Sequence, residues 1–221
     1  ELMTLYARIA GRQGTDSLPA ADSFGDYAVA QHGPAWQARA EADTQWWVRQ
    51  YDGAVPVLEL PTDRPRRPFR SFDSLREDLV LDAALVDAVR KLGSRHGASL
   101  FVTLFSAFGS LMARLSGQDD VVIGVPSAGQ ASDGRNALVG HCVQLLPIRM
   151  AADLEQPFAE LLQATRGRVL DAYEHQACTF GQLLKKLQMQ RAPGRLPLVS
   201  VLFNLDQGIR SEDLSVAGLQ V

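Results

Sequence analysis

Val139-Gly140-His141-Cys142-Val143-Gln144-Leu145-Leu146-Pro147-Ile148-Arg149, with Gln118-Asp119-Asp120-Val121-Val122-Ile123-Gly124-Val125-Pro126-Ser127-Ala128-Gly129 shortly before it, decides how this sequence folds. Val121 to Val125 is a continuous apolar run, the pattern of a strand buried on both faces. The acidic pair Asp119-Asp120 reads as turn chemistry leading into it. Cys142 to Ile148 reads as a second strand. Alternation sets Cys142, Gln144 and Leu146 on one face of it, and His141, Val143 and Leu145 on the other.

Helices surround this strand pair. Upstream, Phe101, Leu104, Phe105, Phe108, Leu111, Met112 and Leu115 recur in steps of three and four, so a nearly all-apolar helix should lie buried against the sheet. Before it, Asp82 suits the cap of a helix through Leu85, Val86, Val89 and Leu92 that Gly97 closes. Leu75, Glu77, Leu79 and Leu81 alternate as a weaker strand. Downstream, Pro157 opens a helix through Phe158, Leu161, Leu162, Thr165, Val169 and Tyr173. Thr179 and Gln182 form a capping box for a short helix through Leu183, Leu184 and Leu187. Leu198–Leu205 and Leu214–Val221 read as further strands. At the amino end, Leu2, Leu5, Tyr6 and Ile9 mark a helix. A second helical region, Phe24 to Tyr51, should break near Gly33-Pro34, because proline removes a ladder donor. Leu60 to Phe69 holds three prolines and four charged residues and should be an extended connector. The whole reads as α/β, with helices packed on a mixed sheet.

Composition excludes several functions. A net charge of -3 leaves no basic footprint for nucleic acid. No apolar run approaches the roughly 18 residues that would nominate a membrane span. Two cysteines are too few for a disulfide framework, so a reduced pair in a cytoplasmic protein is the default reading.

Candidate chemistry is sparse. His141, Cys142, His175 and Cys178 have ligand types that suit zinc, but neighbours on a strand point to opposite faces and the remaining His-x-x-Cys pair is incomplete, so no metal is expected. A Cys178–His175 nucleophile lacks a third residue to orient the base. His175 better suits the end of the preceding helix, where the dipole favours a cation. Gly124-Val125-Pro126-Ser127-Ala128-Gly129 is not a nucleophile elbow, since its serine sits one place late.

Five segments carry a family resemblance. Phe24-Gly25-Asp26-Tyr27-Ala28-Val29-Ala30-Gln31 resembles the fourth core motif of the condensation domains of nonribosomal peptide synthetases, with Phe24 and Ala30 departing from it. Leu58-Glu59-Leu60-Pro61-Thr62-Asp63-Arg64-Pro65 is similar to that family's linker between lobes, and Val139–Arg149 resembles its fifth motif. His175-Gln176-Ala177-Cys178-Thr179-Phe180 resembles the sixth, with Ala177 and Thr179 departing. Arg195 and Pro197-Leu198 fit the seventh.

The resemblance implies a lobe of the chloramphenicol acetyltransferase-like sandwich. Residues 1–59 would be a helical segment following the catalytic loop, 60–74 the inter-lobe connector, and 75–221 the C-terminal α/β lobe without its final strands and helix. The family's His-His-x-x-x-Asp-Gly motif does not occur in this sequence, so no catalytic residue is assigned here. The implied reaction is amide-bond formation between a carrier-bound donor thioester and a carrier-bound acceptor amine. The implied partners are upstream and downstream peptidyl carrier proteins, the N-terminal lobe and an adjacent adenylation domain. No cofactor is bound directly; substrates ride on the carriers' phosphopantetheine. Ser127, Ala128, Gly129 and Gln130 open a candidate floor loop, Ser127 to Asn136, beneath the cleft. Gln144, where the family usually has Asn, lines the tunnel or is a satisfied core amide. His141 is read as filling space. Arg149 is read as an ion pair across the lobe interface, with a cleft contact as its functional alternative. Another acyltransferase, an epimerising relative and a non-catalytic carrier-docking domain are the rivals.

Overall fold

The computed structural model describes residues 2–10, 20–65, 67, 69, 71, 73–132, 134–153, 155–189, 194–206 and 208. In chain order these form α1 (Leu2–Ile9), α2 (Phe24–Ala30), α3 (Pro34–Gln50), α4 (Ala83–Arg95), α5 (Leu100–Ser116), β1 (Asp120–Ala128), α6 (Gly129–Ser132), β2 (Val143–Ala151), α7 (Phe158–Glu174) and α8 (Phe180–Lys186). The expected break between the first helices is present: Gly33 caps α3 and Pro34 occupies its first turn. Asp82 caps α4 through Ala84 N–H, and Thr179 with Gln182 makes the capping box of α8. Ser99 caps α5 by accepting from Val102 N–H, and Gly117 closes that helix in the left-handed conformation.

β1 and β2 pair antiparallel, Asp120 opposite Ala151 through Ala128 opposite Val143. Gly124 spends its N–H on Val201 O and its C=O on Phe203 N–H, at 3.0 and 2.9 Å. Gly124 and the opposite Pro147 are therefore a non-hydrogen-bonded pair, so the missing N–H of Pro147 costs the ladder nothing. Pro126, opposite Leu145, stands in the same kind of pair. The outer edge of β2 is covered by side chains: the Tyr51 hydroxyl donates to Pro147 O, and Arg168 donates to Arg149 O.

Val121, Val122, Ile123 and Val125 are buried on both faces of β1, as the apolar run predicts. α5 lies against one face, where a Cβ on Gly109 would meet Met150 Sδ at 2.7 Å and Ile123 Cδ1 at 3.8 Å. Phe105 is completely buried, and its ring and those of Phe101 and Phe108 gather around Phe203 at 5.4–5.5 Å. Each such side chain removed from water contributes about 1.5–3 kcal/mol. α5 is not buried all round, however; Leu111 and Leu115 on its outer side are half exposed.

Two strand expectations fail. Residues 75–81 make no ladder, and Leu75, Leu79 and Val80 are almost wholly exposed. Alternation selects a strand only when an edge is there to receive it. Residues 198–205 reduce to one parallel bridge, Gly124 with Leu202. Leu198 adopts φ +66°, which no strand accommodates, and the bridge alone makes the pairing mixed. Leu214–Val221 lie outside the described residues.

Candidate functional site

The polar groups that the hydrophobic core does not require collect at the carboxyl end of β1. Ser127, buried, stands directly opposite Gln144 of β2, so both side chains leave the same face of the sheet. Ser127 Oγ donates to Gln176 Oε1 at 2.7 Å. Gln144 makes no side-chain hydrogen bond to another described residue and, with Tyr27, Trp36, Arg39, Gly129, Gln176 and Ala177, lines a crevice of about 10 Å³. That is room for one water and no more. Gln130 Oε1 is enclosed without a hydrogen-bond partner among the described residues.

The candidate floor loop is more ordered than a plain loop. Ser127 and Ala128 still belong to β1, and Gly129 and Gln130 open the single turn α6. Gly129 N–H donates to Cys142 O at 3.0 Å, and a Cβ on Gly129 would lie 2.6 Å from that oxygen. Only glycine lets the chain turn this tightly off the strand. The far side of the connection packs on α2. Leu138, Cys142 and Tyr27 form a small buried cluster, and Gly140 leaves space for the Phe24 ring. The fourth and fifth motifs thus meet by direct packing. Asp133 of the loop lies outside the described residues.

The sixth motif is pinned beside this site by α3. Asp43, 4% exposed, accepts from Ala177 N–H through Oδ2 at 2.8 Å, while its Oδ1 lies 2.9 Å from His175 Nδ1. Trp47 Nε1 donates to His175 O at 2.7 Å, and Trp46 stacks on the imidazole with centroids 4.3 Å apart. His175 is the C-cap of α7, as its helix-end reading requires, but its ring partner is a carboxylate 132 residues away. Asp43, Trp46 and Trp47 are the functional candidates that sequence reasoning missed. Their spacing of three and four on one helix face was the only signal.

Other candidates move. His141 is exposed rather than space-filling, because Cys142 takes the buried position at the strand entrance. Burial pushes the Cys178 thiol up, which removes nucleophilic character from a Cys178–His175 pair. Among the described residues no three His, Cys, Asp or Glu side chains converge as a metal site would require. Arg149 makes its ion pair, but within its own sheet: Nη2 and Nε reach Asp120 at 2.7 and 3.0 Å, and the guanidinium also donates to Gln50 O and Ala54 O. Asp120 is thus the first residue of β1 and an ion partner, not turn chemistry. Hydrogen bonding to Asp120 raises the Arg149 pKa further. Arg149 and Gln144 are five residues apart on β2, about 17 Å at the usual rise, so they serve different places.

Two larger clefts lie elsewhere. One of about 470 Å³ includes Arg149, Asp119, Asp120 and Arg168; one of about 670 Å³, between α8 and Arg195–Pro197, holds none of the predicted site residues. Among the described residues no single helix is long and apolar enough to cross a membrane.

Compared with known families, residues 1–220 match the condensation domain. Surfactin synthase subunit 1 of Bacillus subtilis (strain 168) is 35% identical over 187 residues, covering 82% of this chain. The alignment takes up only 5% of that synthase, so the chain spans a small part of its curated relatives. Among solved structures, the condensation domain of the Monacolin K polyketide synthase MokA superposes with a TM-score of 0.75 at 22% identity, covering 98% of this chain and 52% of that one. The X-domain from teicoplanin biosynthesis gives 0.75 at 23% identity, with 89% and 44% covered.

Proposed function

Because this chain belongs to the condensation domain family, we propose that it is the C-terminal lobe of a domain that joins a carrier-bound acyl or peptidyl donor to a carrier-bound acceptor amine. In that reaction the amine nitrogen forms the new C–N bond, the thioester C–S bond breaks, and the thiol departs on the donor's phosphopantetheine arm. The amine's proton goes to the departing sulfur by way of a base that this sequence does not contain, in the His-His-x-x-x-Asp-Gly loop of the N-terminal lobe. General acid–base help of that kind is worth roughly 10²–10⁴-fold.

The observation that carries the reading is the family match over residues 1–220, and the polar strand end supports it locally. Ser127 and Gln144 stand opposite each other at the strand end, and Gln130 follows in α6 with an enclosed acceptor. An enclosed acceptor, and an amide without a partner among the described residues, are available to a ligand. Here the strand end would form one wall of the cleft between the lobes that receives the two arms, with residues 127–136 as the floor and His141 at its exposed rim. Residues 60–74 would connect the lobes. The partners are the two carriers, the N-terminal lobe and a neighbouring adenylation domain.

The test uses two loaded carrier proteins and mass spectrometry of the acceptor. The complete domain should transfer the donor onto the acceptor amine, and this chain alone should not exceed the uncatalysed rate. Product from the isolated chain, or none from the complete domain, overturns the assignment. A second reading has one observation behind it: the teicoplanin X-domain, also solved in complex with OxyB, superposes as well as the MokA condensation domain does. A complete domain that binds a partner protein without forming amide would establish a binding role instead.

A further inference from the structure

We infer that Asp43 is a positioning residue for the condensation reaction: it sets the sixth-motif loop against the end of β1 and so decides where the chain turns off that strand beside Gln144. The inference rests on the proposed amide-forming role for its kinetic consequence, and on geometry alone for the positioning itself.

A carboxylate buried this deeply in α3 costs folding free energy unless both oxygens are satisfied. Both are, and by the same short loop: one by the His175 ring, the other by the Ala177 backbone, with Gln176 held between them. Gln176 is itself 7% exposed and divides its amide, Nε2 to Tyr173 O at 2.8 Å and Oε1 to Ser127 Oγ at 2.7 Å. Hydrogen bonds from Asp43 to His175 and Ala177, the backbone of the intervening Gln176, and its own bond to Ser127 therefore tie α3 through the loop to the last buried residue of β1. Apolar residues could fill this space, but they would not fix its register. Hydrogen-bond geometry does, because each link is directional and leaves an unsatisfied buried group if it slips. One residue beyond Ser127–Ala128, the chain makes the tight Gly129 turn against Cys142 O that places Gln144 on the crevice wall. A shift of about 1 Å at such a place costs on the order of 10²-fold in rate when two reacting arms must be aligned.

The experiment uses the complete synthetase module with both carriers loaded, and three variants. Asp43→Ala removes both arms. Asp43→Asn keeps them, since its oxygen accepts from Ala177 N–H and its amide donates to the other imidazole tautomer. Gln176→Met keeps volume and deletes both amide links, the one to Ser127 and the one to Tyr173 O, while leaving the Asp43 contacts in place. Asp43→Ala and Gln176→Met should lower kcat about 10- to 100-fold while KM for the loaded acceptor carrier stays within about twofold, and Asp43→Asn should recover most of kcat. Hydrogen exchange of the same modules supplies a readout free of catalysis: amides of residues 129–138 should exchange about five- to tenfold faster in Gln176→Met, the loss of roughly one hydrogen bond. Unchanged exchange there overturns the inference, as does unchanged kcat in Gln176→Met. If Asp43→Ala does not fold, Gln176→Met and Asp43→Asn decide. If the unsubstituted module forms no amide, the functional reading fails, and the exchange data still judge the positioning.

Discussion

Replacing Arg149 by alanine tests whether this residue holds the lobe together or acts on substrates. Its guanidinium forks onto Asp120, reaches Gln50 O at 2.9 Å and touches Ala54 O at 3.3 Å. Gln50 ends α3, so its carbonyl has no partner within the helix, and a cation there is worth about 0.3–1 kcal/mol. The two side chains are 23% and 36% exposed. The pair therefore falls between the roughly 3–5 kcal/mol lost when a buried pair is broken and the roughly 0–1 kcal/mol of a surface pair. Together these place the loss at about 2–3 kcal/mol, or a melting temperature lower by about 5–10 °C for a domain of this size. Thermal melts of the complete domain read it directly. A double-mutant cycle with Asp120→Ala should show coupling of about 1–2 kcal/mol, weakened by salt. Arg149→Lys should recover less than half of the loss, because a single ammonium cannot reproduce the fork. An Arg149→Ala domain that melts like the unsubstituted one yet forms no amide would refute this reasoning and return Arg149 to the substrates.

Two further outcomes follow from packing and burial. Burial pushes the Tyr51 hydroxyl above its ordinary value of 10, so the unfolded chain ionises first. That stabilisation is complete below about pH 10 and is lost as pH climbs through the raised folded value; Tyr51→Phe should cost about 1 kcal/mol near neutrality and flatten the alkaline decline in urea midpoints. An equally steep decline in the variant would mean another group titrates. Gly140→Ala should destabilise by about 1–3 kcal/mol, because its Cβ would come within 2.3 Å of Phe24 Cδ2, and Phe24→Leu should restore part of that in chemical denaturation. Equal stability of Gly140→Ala would show that the fourth and fifth motifs do not meet by this contact.

What was readable from the chain alone is what each segment encodes within itself. The five-residue apolar run of β1 requires burial on both faces wherever it lies. Asp82 and the Thr179–Gln182 box cap their helices through neighbours two or three residues away. Core motifs in register named the family for the same reason: each is a local string. Tertiary structure alone decided everything that needs a distant partner. Residues 75–81 have the alternation of a strand and no edge to pair with, while the Leu198–Leu205 segment meets β1 at one bridge. The ion pair expected of Arg149 named no partner carboxylate, and the structure supplies Asp120 across the ladder. Asp43 carried no signal beyond its helical spacing to Trp46 and Trp47, because an acidic residue on a surface-like helix face looks the same whether it meets water or His175 and Ala177. Capping and periodicity act over one turn of chain and leave their mark in sequence. Hydrogen bonds between residues more than a hundred positions apart are set by how helices and sheet close on one another, and only the packed fold supplies that geometry.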